Sequence, residues 1–211
     1  MPLPLWPTAR NAQEQQQVAQ AIARVERETD AELVTVLAAQ ADDYRYIALL
    51  WAGLTALLLP GLLNLFGDWW SARQLLLAQW LSFLALGLLF RLPALRIRLT
   101  PRGVRHWRAA NLARRQFLER QLHHTEGDVG MLIFVSEAEH YVEILVDRGI
   151  ASRVEDATWQ ALVDRFTAQV RQGQVLLGFL DCIEGCGEVL RERLPPSHPH
   201  NQLADRLVIL P

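Results

Sequence analysis

The chain has 211 residues, of which 51% are hydrophobic, and its formal net charge is -2 at pH 7. This balance suits one modest globular domain joined to a more apolar segment. The two cysteines, Cys182 and Cys186, are too few for a disulfide scaffold, and the first residues, MPLPLWPTARNAQ, are not expected to form a signal peptide.

The first predicted element is an amphipathic helix that ends near Glu28. Asn11 and Glu14 have the spacing of a capping box, and apolar residues follow at helical intervals from Val18. Residues 31–38, AELVTVLA, then predict a strand that is apolar on both faces except at Glu32 and Thr35. A strand of this kind is expected in the centre of a sheet that helices cover on both sides.

Two long apolar stretches follow and predict a transmembrane helical hairpin. Residues 47–66 form a run of 20 residues without a charge, and residues 74–90 form a second run. Trp69 and Trp70 lie between them, where aromatic residues are enriched at a membrane surface. The alternative is a pair of buried helices in a soluble protein. Pro60 is expected to kink the first helix rather than end it.

The arginines predict how the hairpin is oriented. Between Arg91 and Arg120 there are nine arginines and one acid, a local net charge of +8, whereas the connection between the two apolar runs contains only Arg73. Because basic residues favour the cytoplasmic side, both ends of the hairpin, and both chain termini, are expected there. The expected location is the bacterial inner membrane, with two spans.

A strongly basic helix is predicted after the second span, with Thr100 as its cap and Pro101 at its first position. Its arginines have two interpretations: a solvated face, or a stripe in contact with anionic lipid headgroups. The stripe would consist of Arg102, Arg105, Arg108, Arg114 and Arg115. The position of this helix beside the second span explains its arginines more simply than binding of nucleic acid would, and no nucleic-acid partner is expected.

The remaining elements complete a predicted sheet and its helices. Residues 129–136 form a second strand that is apolar on both faces, and residues 141–147 form a third strand that alternates as an edge strand does, joined to the second by a tight turn. Helices are predicted from about 155 to 172 and from about 176 to 194, and residues 197–211 are expected to be an extended, loosely ordered tail.

The doubly buried strands before and after the hairpin are natural neighbours in one sheet. We therefore predict an α/β fold: a small α/β/α sandwich interrupted by a two-helix transmembrane hairpin. The predicted divisions are residues 1–44 and 96–196 for the two halves of the cytoplasmic domain, 45–95 for the hairpin and 197–211 for the tail.

The ordered segments AELVTVLAAQADDY and GDVGMLIFVSEAEHYVEILVDRGI, followed by Trp159 and VRQG, resemble the TPM domain. This family includes a thylakoid-lumen photosystem II repair protein, a nematode acetylcholine-receptor modulator and a bacterial subgroup of integral membrane proteins. The resemblance implies an α/β/α sandwich and, for some relatives, weak acid phosphatase activity or calcium binding. Many TPM domains carry a GYG-like segment where this chain reads DRGIASRVED, which weakens the implication of phosphatase activity.

Candidate metal ligands follow the predicted strands. Asp42, Asp43 and Asp147 lie at or beyond strand ends, where open α/β sheets tend to bind ligands, and carboxylates suit Ca²⁺ or Mg²⁺. The alternative is that they are plain loop and helix-terminal residues. Cys182 and Cys186, with His198 and His200, have no familiar zinc spacing, and the cysteines are better explained as small core residues.

Two functions remain open from the sequence. The first is a non-enzymatic, membrane-anchored module that binds a membrane or cytoplasmic protein partner, for example in assembly or quality control of membrane proteins. The alternative is a weak phosphatase that depends on a divalent metal. The sequence contains no recognisable catalytic motif, so the first function is preferred and no catalytic residue is assigned.

Overall fold

The computed structural model describes residues 12–67, 69–172, 174–197 and 207–210. The described chain divides into two compact units. Residues 42–105 form the first, called here the hairpin unit, and the described residues 12–41 and 106–210 form the second, called the α/β unit. The α/β unit is therefore assembled from chain segments on both sides of the hairpin unit.

Among the described residues, the hairpin unit contains only helices, whereas the α/β unit contains both helices and strands. A 3₁₀ turn at Leu122–His124 precedes the second strand. In chain order the other elements are α1 (Ala12–Glu28), β1 (Glu32–Ala38), α2 (Arg45–Leu65), α3 (Ala72–Leu89), α4 (Pro93–Leu99), α5 (Arg102–Glu119), β2 (Gly130–Ser136), β3 (Tyr141–Val146), α6 (Arg148–Ala151), α7 (Asp156–Arg171), α8 (Val175–Arg193) and β4 (Leu207–Leu210).

The four strands form one sheet in the order β3-β2-β1-β4. β1 pairs in parallel with β2, from Glu32 opposite Gly130 to Ala38 opposite Ser136, and in parallel with β4 on its other side. β2 and β3 form an antiparallel hairpin. Every residue of β1 and β2 is buried, as the apolar composition of both their faces predicts.

Helices cover both faces of the sheet. On one face, α1, α7 and α8 pack against the odd-numbered β1 and β2 residues, such as Leu33 and Ile133, in one hydrophobic core. On the other face, the small residues Ala109 and Ala113 of α5 pack against the even-numbered residues, such as Phe134. The α/β/α sandwich is thus confirmed, with three long helices on one side and one on the other.

In the hairpin unit, α2 has 21 residues and α3 has 18, and both are long and apolar enough to cross a membrane. Pro60 lies inside α2 and does not end it, as expected. α3 begins with a capping box in which the Ser71 hydroxyl accepts a hydrogen bond from the backbone of Gln74. None of the residues of α3 is buried.

The structure corrects two expectations. The tail is not loosely ordered at Leu207–Leu210, because these residues form β4 and pair with β1. Thr100 is not the cap of α5, because its hydroxyl donates a hydrogen bond of 2.8 Å to the carbonyl of Arg96 and so closes the end of α4. The predicted capping residue Asn11 and the histidines His198 and His200 lie outside the described residues.

Candidate functional site

The first two candidate metal ligands lie just before α2 and make local contacts. Oδ1 of Asp42 accepts a hydrogen bond of 3.1 Å from the backbone N–H of Tyr44. Oδ2 of Asp43 lies 3.2 Å from Nε of Arg45 in an ion pair. These contacts suit residues that shape the loop leading into a helix.

The third candidate, Asp147, is the N-cap of α6. Its Oδ1 accepts a hydrogen bond of 2.8 Å from the backbone N–H of Arg148, while Oδ2 is buried without a hydrogen-bond partner in the described part of the chain. Within the described ranges, no three histidine, cysteine, aspartate or glutamate side chains come together in a group that could hold a metal ion. Asp42 and Asp43 belong to the hairpin unit and Asp147 to the α/β unit, and a Ca²⁺ or Mg²⁺ site stays a prediction.

The two cysteines are residues of α8 and face the hydrophobic core. Cys182 and Cys186 are free thiols and both are buried. A hydrogen bond with Cys182, together with burial, raises the pKa of the Cys186 thiol. A buried thiol held in its neutral form is a poor nucleophile, so these residues act as small core side chains, as the sequence suggested.

The basic helix α5 has a buried side and an exposed side. Its buried side is formed by Ala109, Ala113 and Gln116, whereas Arg114 and Arg115 are exposed. Two apolar side chains also remain exposed on this helix, Trp107 and Leu118. The outer face of α5 therefore combines cationic and apolar side chains, which is the composition enriched at protein interfaces.

A polar cluster lies where α5 meets the edge strand β3. It consists of His106 and Arg114 from α5 and Tyr141 and Glu143 from β3. The ring centroids of His106 and Tyr141 are 5.5 Å apart with the ring planes tilted by 55°. The Tyr141 hydroxyl is hydrogen-bonded to Glu143, whose Oε2 atom is buried and has no hydrogen-bond partner among the described residues.

Burial shifts both titratable groups of β3 toward their neutral forms. It raises the pKa of Glu143 above its usual value, against the opposing effects of the Tyr141 hydroxyl and the Arg114 guanidinium. Burial, followed by the neighbouring Glu143 carboxylate, raises the pKa of Tyr141. The cluster thus offers a carboxyl group held toward its protonated form beside a cation, an arrangement able to hydrogen-bond a polar group of a ligand.

Sequence reasoning did not find this cluster. The alternation predicted for residues 141–147 puts Tyr141 and Glu143 on one face of the strand, but only the packing of α5 brings His106 and Arg114 to the same face. The sequence feature that could have indicated the cluster is the pair Tyr141 and Glu143, two polar residues at alternating positions of β3 on the side that a single helix covers.

Comparison with known proteins identifies part of the chain. The family model for the TPM domain matches residues 101–189. Over 94% of both chains, the structure is similar to the NMR structure of the BA42 protein from the psychrophilic bacterium Bizionia argentinensis, with 17% sequence identity and a TM-score of 0.59, which shows a shared fold. No curated protein matches the sequence. The resemblance seen in the sequence is confirmed over residues 101–189, which match the family model of the TPM domain.

Proposed function

We propose that this protein is a membrane-anchored TPM-domain protein, in which the hairpin unit crosses the bilayer twice and the cytoplasmic α/β unit binds a partner protein. The observation that carries the anchoring is the exposure of the hairpin. Large apolar side chains line the outside of α2 and α3, and no residue of α3 is buried. At about 1.5 Å per residue, helices of 21 and 18 residues match a hydrocarbon core of roughly 30 Å.

The distribution of charge supports the cytoplasmic orientation. Arg45 begins α2, and Arg91, Arg96 and Arg98 follow α3, so four arginines flank the open end of the hairpin. At the closed end, Arg73 lies in the first turn of α3. Short loops rich in arginine favour the cytoplasmic side, and therefore both segments of the α/β unit would lie in the cytoplasm of a bacterial cell.

The outer face of α5 supports a binding role. Trp107 is 58% exposed, and the guanidinium of Arg108 lies 5.1 Å from the centre of its ring. Tryptophan and arginine are the residues that most often dominate the energy of protein interfaces. The arginines of α5 would favour an acidic segment of a membrane or cytoplasmic protein, and a contact of the same arginines with anionic lipid stays a competing prediction.

The test is site-specific photocrosslinking in native membranes, with a photoreactive amino acid in place of Trp107. The matched control carries it in place of Leu177, which is 48% exposed on α8. We expect discrete protein adducts from position 107 that are absent from position 177. Identical patterns from the two positions, or lipid adducts only at position 107, would contradict partner binding at α5.

The alternative, a weak metal-dependent phosphatase, predicts a different result. Phosphate release would depend on a divalent metal and would fall in Asp43→Asn or Asp147→Asn. Activity that is unchanged in both variants would remove this alternative.

A further inference from the structure

An open pocket of about 480 Å³ lies within the hairpin unit, between the start of α2, the end of α3 and α4. Three of the residues that line it are arginines, Arg45, Arg91 and Arg96. The rest of the wall is apolar, formed by Ala48, Leu49, Gly87 and Phe90. The pocket thus joins a cationic rim to an apolar floor.

Among the described residues, the cations of this rim outnumber the carboxylates that pair with them. Asp43 forms an ion pair with Arg45, and its backbone carbonyl accepts a hydrogen bond of 2.8 Å from Nη1 of Arg96. Nη2 of Arg96 reaches the carbonyl of Arg91, at 3.5 Å. Nε of Arg96 is buried and has no hydrogen-bond partner among the described residues. A rim that holds more guanidinium groups than carboxylates favours an anion, which arginine binds through charge-assisted hydrogen bonds.

Two further features favour an anion. Arg45 is the first residue of the 21-residue helix α2, and the positive end of the helix dipole therefore lies at the pocket. The carbonyl contacts hold Arg96 in place before any ligand binds, which reduces the entropy lost on binding. Arginine also binds phosphate oxygens with two parallel hydrogen bonds.

We propose that this pocket binds the phosphate group of an anionic phospholipid from the cytoplasmic leaflet. The inference rests on the proposed membrane anchoring, which places the open end of the hairpin at the headgroup level. Free phosphate has the same chemistry as the headgroup, but the apolar wall of Leu49, Gly87 and Phe90 provides a surface for the lipid backbone and its acyl chains.

The charge test uses the purified full-length protein in a neutral detergent. Binding is measured by calorimetry with dioctanoyl phosphatidylglycerol, dioctanoyl phosphatidylcholine and inorganic phosphate. We expect phosphatidylglycerol to bind at least about tenfold more tightly than the other two. Arg91→Gln and Arg96→Gln should each weaken its binding by about tenfold, whereas Arg98→Gln, the matched change on α4 outside the pocket, should alter it less than about twofold.

A second test fills the pocket without changing its charge. Apart from its chain neighbours and the backbone of its own helix, a Cβ atom at Gly87 or at Gly53 would meet no atom within 4 Å, so both positions accept a larger side chain. Gly87→Leu should abolish the preference for phosphatidylglycerol because its side chain occupies the pocket wall. Gly53→Leu, on α2 outside the pocket, should retain the preference.

The outcomes separate this proposal from the proposed function. Equal binding of the two lipids, or equal losses in Arg96→Gln and Arg98→Gln, overturns the pocket assignment. Inorganic phosphate that binds as tightly as phosphatidylglycerol overturns the lipid assignment. Each variant is also tested for resistance to alkaline extraction from membranes. If the wild-type protein is itself extracted, the membrane anchoring fails, whereas a resistant protein without lipid preference refutes the pocket alone.

Discussion

Replacing an exposed leucine of α3 by lysine should have different effects on a hairpin that lies in a bilayer and on a hairpin that lies in water. Leu81 lies near the middle of α3 and is 72% exposed. In water, a substitution at such an exposed position changes the free energy of unfolding by about 0.5 kcal/mol or less. In the centre of a bilayer, the change from leucine to lysine costs about 3 to 4 kcal/mol, because lysine is disfavoured there and leucine is favoured.

The size of this difference sets the expected result. A cost of about 3 to 4 kcal/mol lowers an insertion equilibrium several-hundred-fold, since about 1.4 kcal/mol corresponds to a factor of ten. The double variant Leu81→Lys/Leu84→Lys would carry about twice that cost, because Leu84 is also exposed on α3. We expect the double variant to lose most of its membrane-integrated fraction, and the single variant to lose part of it.

The assay is the fraction of protein that resists alkaline extraction from bacterial membranes. The control is Leu118→Lys on α5, where the leucine is 56% exposed in the α/β unit. We expect this control to match the wild type. Full retention of the double variant in the membrane, with unchanged folding, would refute the argument that α3 lies in hydrocarbon.

Three further predictions concern the α/β unit. Because burial raises the pKa of Glu143, ionisation of this carboxyl should destabilise the fold as the pH rises above about 4.5. Glu143→Gln should therefore be more stable than the wild type at neutral pH and lose that advantage in acid. A difference in unfolding free energy that stays constant across pH would contradict this. Phe179→Ala should cost about 3 to 5 kcal/mol in chemical unfolding because the ring is fully buried, whereas Leu177→Ala on the same helix should cost much less. Truncation before Leu207 should speed hydrogen exchange at the Ala39 amide, which donates to β4, and unchanged exchange there would argue against the β1–β4 pairing.

The sequence predicted the centre of the sheet because burial leaves a clear signal there. Val34 and Val36 on one face of β1, and Leu33 and Leu37 on the other, all contact a hydrophobic core. An apolar residue at every position is the pattern of a strand that is covered on both sides. In β3, the alternation of apolar and polar residues predicted a strand at the edge of the sheet.

The sequence could not predict features that depend on tertiary contact. β4 is only four residues long, and an apolar run this short has no period that separates a strand from a loop. Thr100 and Pro101 have the pattern of a helix start, but the Thr100 hydroxyl donates its hydrogen bond to a carbonyl of the preceding short helix α4. The cluster around Glu143 depends on how α5 packs on β3, which no local pattern records.

Cysteine labelling in intact cells is the measurement that tests the central claim most directly. The native cysteines are buried, so a single new cysteine can be followed against a low background. One variant carries Trp69→Cys in the connection between α2 and α3, and another carries Ala157→Cys on the exposed start of α7. We expect a membrane-impermeant maleimide to label position 69 from outside the inner membrane and to label position 157 only after that membrane is opened. Equal labelling of both positions before the membrane is opened would contradict a hairpin that crosses the bilayer and returns to a cytoplasmic α/β unit.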